Sequence, residues 1–286
     1  MTRFPLRLLL LAGLLVAGCA SASHLLLTVP PIASGGQHLP GKVVWHDLVT
    51  ADMAGVQKFY GGVFGWQFEP VTDGYVLARN GDHVIGGIAA LDSVAAGSQW
   101  VAQFSVTDIA ASAEKVRASG GTVLLGPFDL RGRGQVAVVK DPQAAIFGMI
   151  QTVDGDPADA VPKDGDFLWH ELWVDDPRAA SKFYFPLFAF APGTAEVNGK
   201  PYVYLKTAGK ARAGLVQKPD PNIGNAWVSY VRVADVDAVV ARVPQYGGRV
   251  LFAPSPDVRK GSVAVIADPG GAGLLVQEWP IEGGAS

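Results

Sequence analysis

Cysteine is almost absent. Cys19 is the one thiol in 286 residues, so no disulfide forms within the chain. A surplus of positive charge is absent too: 23 Lys and Arg stand against 26 Asp and Glu. Nothing therefore supports nucleic-acid binding, which needs a concentrated basic face. Long apolar runs are also missing, and the clearest one, residues 8–16, is too brief to span a bilayer.

The flanks of that run are informative. Arg3 and Arg7 precede it and Val16-Ala17-Gly18-Cys19 follows it, the order of a secretory signal peptide. Val-Ala-Gly-Cys resembles the bacterial lipobox, in which the thiol is acylated and becomes the new N-terminus. Ordinary cleavage near Ala20 or Ala22 is the competing reading. With Ala20 after the cysteine, the resemblance implies a protein lipid-anchored through Cys19 at the outer membrane, its body facing the periplasm. Residues 1–19 are then a leader, and 20–41, rich in Ser, Pro and Gly, a flexible tether. The stretch His24-Leu25-Leu26-Leu27 offers an apolar segment that can instead pack on the body. Because Arg3 and Arg7 leave with the leader, the mature chain is more acidic than the full one.

What fills the rest is a duplication. Residues 45–52 read WHDLVTAD and 169–176 read WHELWVDD; Phe59-Tyr60 returns as Phe183-Tyr184, and Asp141-Pro142 as Asp268-Pro269. Two homologous halves, 42–151 and 167–280, follow, joined by a polar, Gly- and Pro-punctuated linker at 152–166 and ending in a tail at 281–286. Within each half a smaller pattern recurs: a strand, an Asp, a helix of about three turns, then several short strands. In the first half a strand at 43–50 leads to Asp52 as helix cap, and a second at 100–106 leads to Asp108. Asp176-Pro177 and Asp235 open the corresponding helices of the other half. The count is four βαβββ units, an α+β fold.

The strings KFYGGVFGW (58–66), VRASGGTVL (116–124) and VAVVKDP (136–142), in this order, resemble the glyoxalase/bleomycin-resistance/extradiol-dioxygenase (vicinal oxygen chelate) superfamily. Closest are its tandem-domain bacterial members. The resemblance implies two half-barrel domains, each with a concave face. In enzymatic members that face holds a divalent metal, bound by His, Gln or Glu of first strands and a Glu of a last strand. Fold alone does not choose among isomerases, lyases, dioxygenases and proteins that only bind drugs.

Counting from the helix-capping aspartates puts the family's first-strand ligand positions at Trp45 and Trp169, and at Val101 and Val228 in the second units. Its last-strand positions fall on Gly148 and Leu275, with Glu278 three residues too late. Two-fold alternation then turns Trp45, Asp47 and Val49 to the cavity and His46, Leu48 and Thr50 to the helices. His46 and His170 read as core residues, and no metal or other cofactor is expected. A shift of one residue would reverse this and make both histidines metal ligands.

The expected cavities combine Trp45, Asp47, Gln103 and Ser105 in one half, and Trp169, Glu171, Tyr230 and Arg232 in the other. An aromatic wall with a few directed polar groups describes a small-molecule pocket; aromatic filling of a closed barrel is the bland alternative. Asp47 and Glu171 occupy equivalent positions and are candidate general bases, or carboxylates that hydrogen-bond a backbone group or pair with Arg232. Tyr75, Arg79 and His83 are candidates for the rim, or exposed hairpin residues. Arg131, Arg133, Arg259 and Lys260 read as solvated loop residues that an anionic ligand could use. Pro186, where the first half has Gly61-Gly62, is expected to bend or shorten its helix, so the second pocket reads as the degenerate one. The function expected is a metal-free envelope lipoprotein that binds a small apolar or aromatic molecule. A metal-dependent lyase, isomerase or ring-cleaving dioxygenase, and a structural envelope protein, stand as alternatives.

Overall fold

The computed structural model describes residues 28–91, 97–197 and 200–280. The leader, Cys19, the first part of the tether and the tail at 281–286 lie outside the described residues.

Val43–Thr50 forms β1, and Asp52 caps α1 (Met53–Phe64) by accepting from the Gly55 amide. β2 (Gln67–Thr72), β3 (Tyr75–Asn80) and β4 (His83–Ala90) complete the first unit. The second contains β5 (Gln99–Ser105), α2 (Ile109–Ala118), β6 (Thr122–Leu130), β7 (Gly134–Lys140) and β8 (Ile146–Thr152). In the other half, β9 (Phe167–Val174) and α3 (Pro177–Phe188) precede β10 (Ala191–Val197), β11 (Lys200–Thr207) and β12 (Lys210–Gln217). The last unit is β13 (Ala226–Val233), α4 (Val236–Arg242), β14 (Arg249–Phe252), β15 (Val263–Ala267) and β16 (Gly273–Glu278).

Each half is one 8-stranded sheet, ordered β2-β3-β4-β1-β5-β8-β7-β6 and β10-β11-β12-β9-β13-β16-β15-β14. The first strands of the two units pair antiparallel at the centre, while β1–β4 and β5–β8 pair parallel. Pro186 does not shorten α3, which at 12 residues equals α1. It falls in the last turn, three residues before the left-handed cap at Ala189, so the one N–H bond it removes and the carbonyl it crowds lie at the end of the helix and not in its middle.

The helices lie between the two sheets, and both large cores are shared. One packs Phe104 and Phe147 of the first half against Phe183, Tyr184 and Phe188 of α3. The other packs Val56, Phe59, Tyr60 and Val63 of α1 against Val231, Val236 and Ile266 of the second half. Aromatic hydroxyls pin the halves together in matching fashion. Tyr60 donates to the buried Asp268 (3.2 Å) and accepts from Trp100 Nε1 (2.7 Å). Tyr184 donates to Asp141 (3.0 Å) and accepts from Trp227 Nε1 (3.0 Å). Burial pushes both carboxylates up in pKa. Tyr60→Phe strips a partner from Trp100 and from Asp268 at once, and is expected to cost about 1–3 kcal/mol, read as a fall in the urea midpoint at constant m.

Where the sheets meet, His46 and His170 face one another. Their Nε2 atoms are 2.7 Å apart, one ring donating and the other accepting. The His46 ring stacks on Phe167, with centroids 3.6 Å apart. Both are buried, on the opposite side of the sheets from Asp47 and Glu171.

Candidate functional site

Each sheet turns its other face outward, and there a carboxylate sits among rings. In the first hollow Asp47 Oδ1 accepts from Trp45 Nε1 (3.0 Å) and from Tyr75 Oη (2.7 Å), while Oδ2 accepts from Gln103 Nε2. Beside them lies Arg133, 1% exposed. Its guanidinium carbon stands 3.8 Å from the Trp45 ring centroid, and Nη1 donates to Tyr75 Oη at 2.9 Å. Nη2 of Arg133 and Oε1 of Gln103 are buried with no partner among the described residues.

The second hollow repeats this arrangement with tighter pairing. Glu171 Oε1 accepts from Tyr202 Oη and Arg259 Nη2, both at 2.8 Å. Its Oε2 accepts from Trp173 Nε1 (2.9 Å) and Tyr230 Oη (2.6 Å). Four donors meet the roughly four lone-pair sites that a carboxylate has. Trp169 Nε1 donates to Tyr202 Oη at 2.8 Å, and Arg259 also reaches Gln277 Oε1. Arg259 and its neighbour Lys260 hold left-handed backbones, φ 47° and 57°, strain of the kind that clusters at ligand sites.

Proton positions follow from burial. Desolvation first, and the adjoining carboxylate second, push the phenols of Tyr75, Tyr202 and Tyr230 far above their usual range. These hydroxyls therefore stay protonated and act as donors. Burial opposes the charge on Arg259, but its surroundings, the Glu171 carboxylate among them, outweigh burial and raise its pKa. Room for the tyrosines comes from glycine: a Cβ on Gly87 would collide with Tyr75 Oη, and one on Gly214 with Tyr202 Oη.

Several expected positions need correction. Arg232 does not join the Glu171 group; its Nη1 donates to the Pro162 carbonyl at 2.7 Å and its Nε pairs with Asp164, which ties it to the linker. Ser105 is buried at the end of β5 with a hydroxyl that finds no partner among the described residues, outside the Asp47 group. His83 pairs with Asp166 (2.8 Å) and Arg79 with Glu69 (2.7 Å) rather than rimming the hollow. Arg133 and Arg259 are not solvated loop residues but members of the two clusters. Trp173 and Tyr202 were not foreseen. Trp173 shares a face with Trp169 and Glu171 by simple alternation, and Tyr202 stands at the same repeat offset from Tyr75 as Trp227 from Trp100.

The hollows also differ in access. From Thr28 onward the expected tether is laid on the first sheet: Thr28 pairs with Arg131, and the Val29 amide donates to the Arg131 carbonyl at 3.0 Å. Val29 and Ile32 pack on the cluster of Trp45, Tyr75 and Leu77. Trp45 is consequently 5% exposed, while its counterpart Trp169 is half-buried. The first hollow is the closed one.

A family model for the Glyoxalase/Bleomycin resistance protein/Dioxygenase superfamily matches residues 42–146 and again 167–276. The chain belongs to this superfamily. Among curated members it is 31% identical over 245 residues to the putative glyoxylase CFP32 of Mycobacterium tuberculosis, covering 82% of this chain and 94% of that one. It is 29% identical over 262 residues to the anthracycline biosynthesis protein DnrV of Streptomyces peucetius, covering 84% and 94%. Solved superfamily structures with the same fold include the Mn(II)-bound glyoxalase of Novosphingobium aromaticivorans (TM-score 0.57, 13% identity, 84% of this chain and 82% of that one). Another is the 2,3-dioxygenase LapB of Pseudomonas sp. KL28 (TM-score 0.56, 14% identity, 85% and 93%). At such identity the likeness is one of fold. Among the described residues, no three His, Cys, Asp or Glu side chains converge as a superfamily metal site would require.

Proposed function

We propose that this superfamily member is a receptor without a resident metal, lipid-anchored at the bacterial envelope through Cys19, whose second hollow takes a small apolar or aromatic molecule. The supporting observation is the saturation of Glu171. A divalent cation needs free oxygen lone pairs and a general base needs one; at Glu171 four donors, one a guanidinium, hold them all. Nor do the ligand positions of the family supply substitutes, since Trp45, Trp169, Val101, Val228, Gly148 and Leu275 carry no metal-binding side chain. The residues present do not fit the metal of the enzymatic members.

What the second hollow does present is a wall of Trp169, Trp173 and Tyr202, all half-buried, beside a neutralised Arg259–Glu171 pair. Such a surface gains from planar apolar area more than from charge. The naming of one relative for anthracycline biosynthesis is in keeping with an aromatic ligand. Anchoring rests on Val16–Cys19 and is checked by labelling cells with radioactive palmitate, where incorporation is expected and should vanish in Cys19→Ser.

The test of binding uses the purified mature chain and 2-naphthol. A ligand at a hundred times its dissociation constant stabilises by about 2.7 kcal/mol, so a clear rise in Tm is expected, abolished by Trp169→Ala. Elemental analysis of the same sample should find substoichiometric transition metal. A stoichiometric metal that survives dialysis, or no thermal response to any planar aromatic probe, would end this reading.

A further inference from the structure

The two hollows share a plan but not a balance of partners. In the second, Glu171 and Gln277 both reach Arg259. In the first, the carboxylate is Asp47, one methylene shorter, and Ile150 stands at the repeat position of Gln277. Arg133 therefore touches its carboxylate only through Tyr75 Oη, and among the described residues its Nη2 has no acceptor, in a side chain that is 1% exposed. Gln103 Oε1, also buried, likewise has no partner among the described residues. Burying a guanidinium N–H without a partner is costly unless something periodically fills it.

The segment laid over this hollow meets part of that demand. The Pro30 carbonyl accepts from Arg133 Nε at 3.3 Å, while Val29 and Ile32 cover Trp45 and Tyr75. An acceptor oxygen on the guanidinium and an apolar body on the rings make the chemical outline of a small molecule. We infer that residues 28–32 are a built-in ligand, and that beneath them lies a second binding site for a small apolar molecule bearing a carbonyl or carboxylate oxygen, received by Arg133. A carboxylate can engage two guanidinium nitrogens at once, whereas the peptide carbonyl engages Nε alone and at long range, so a free acid has the better head group. The strap has the advantage of being tethered, which raises its effective concentration. Competition between the two sets the occupancy of the first hollow. This deepens the receptor reading, but it concerns the other hollow and a different ligand feature.

Calorimetric titration with 2-naphthoate separates the possibilities. The intact mature chain is expected to bind one equivalent, in the second hollow, and Val29→Lys/Ile32→Lys, whose charges are repelled by Arg133, is expected to bind two. In that opened background Arg133→Met should weaken the added site at least about tenfold, the loss of one charge-assisted bidentate contact. Naphthalene-2-methanol, which lacks the carboxylate, should show the same loss. Val29→Ala/Ile32→Ala takes the place of the lysines if they prevent folding. The inference is overturned if opening the strap adds no site, or adds one indifferent to Arg133. Should the receptor reading of the second hollow be the faulty part, the intact chain binds nothing while the opened variant still takes one equivalent through Arg133.

Discussion

Replacing Arg259 with Met is expected to lower the free energy of unfolding by about 3–5 kcal/mol, the usual cost of stranding one charge of a buried pair. The reason lies in what remains behind. The Glu171 side chain is 4% exposed and its Oε1 would keep a single donor, the Tyr202 hydroxyl, at a position now lacking any cation. Urea titration of the two chains reads the loss directly. Removing both charges, as Glu171→Leu/Arg259→Met, should recover most of it, because a well-packed apolar pair is often no worse than a buried ion pair. If the single variant is as stable as the parent, Glu171 is not desolvated as described and the saturation argument for the second hollow falls with it.

Acid should loosen the molecule through the histidine pair. Burial lowers the His170 pKa to about 3, and burial together with repulsion from a charged His170 lowers that of His46, against a smaller raising contact with the Ile85 backbone. Both folded-state values lie below the unfolded value of about 6.5. Above that pH neither state binds the proton and stability is untouched. As the pH falls below it, the unfolded chain takes up protons that the folded chain refuses. Stability drops by about 1.4 kcal/mol per pH unit for His170, continuing down to its folded pKa. Between pH 7 and pH 5 that is about 2 kcal/mol. Asp141 and Asp268, whose pKa values are raised, act in the opposite direction as acid protonates them in the folded state. A His46→Gln/His170→Gln chain retains those carboxylates and isolates the histidine contribution: its unfolding free energy should fall less over the same range. Parallel pH profiles for the two proteins would show that the rings are not desolvated.

How far these features were legible follows from where periodicity operates. Along β1 the two-fold alternation is uninterrupted from Trp45 to Thr50, so the placement of Trp45 and Asp47 on one face and His46 on the other could be read directly. Along β13 it holds as well, since the register shift beside Tyr230 skips a residue of β9, but a period gives the face and not the neighbours: Arg232 lies past the Glu171 group, against the linker. Tyr230 was therefore placed and Arg232 misplaced. Arg133 and Arg259 precede their strands in turns, where no period exists and a charged side chain reads as solvated. Their burial depends on rings contributed by other strands. The strap escaped notice for the same reason: Val29 and Ile32 look unremarkable in a Ser-, Pro- and Gly-rich stretch until Trp45 and Tyr75 are seen beneath them. The meeting of His46 with His170 required knowing how the halves dock.

That docking carries a consequence for how such a molecule can change. A residue touching its own counterpart, as His46 touches His170, is the mark of pairing between identical bodies about a two-fold axis. In a pair of separate identical subunits, every substitution arrives twice and both basins must remain alike. Joined in one polypeptide, each copy mutates alone. One basin could acquire a stopper cut from its own leading chain while the other kept its mouth open, and neither needed the consent of its twin.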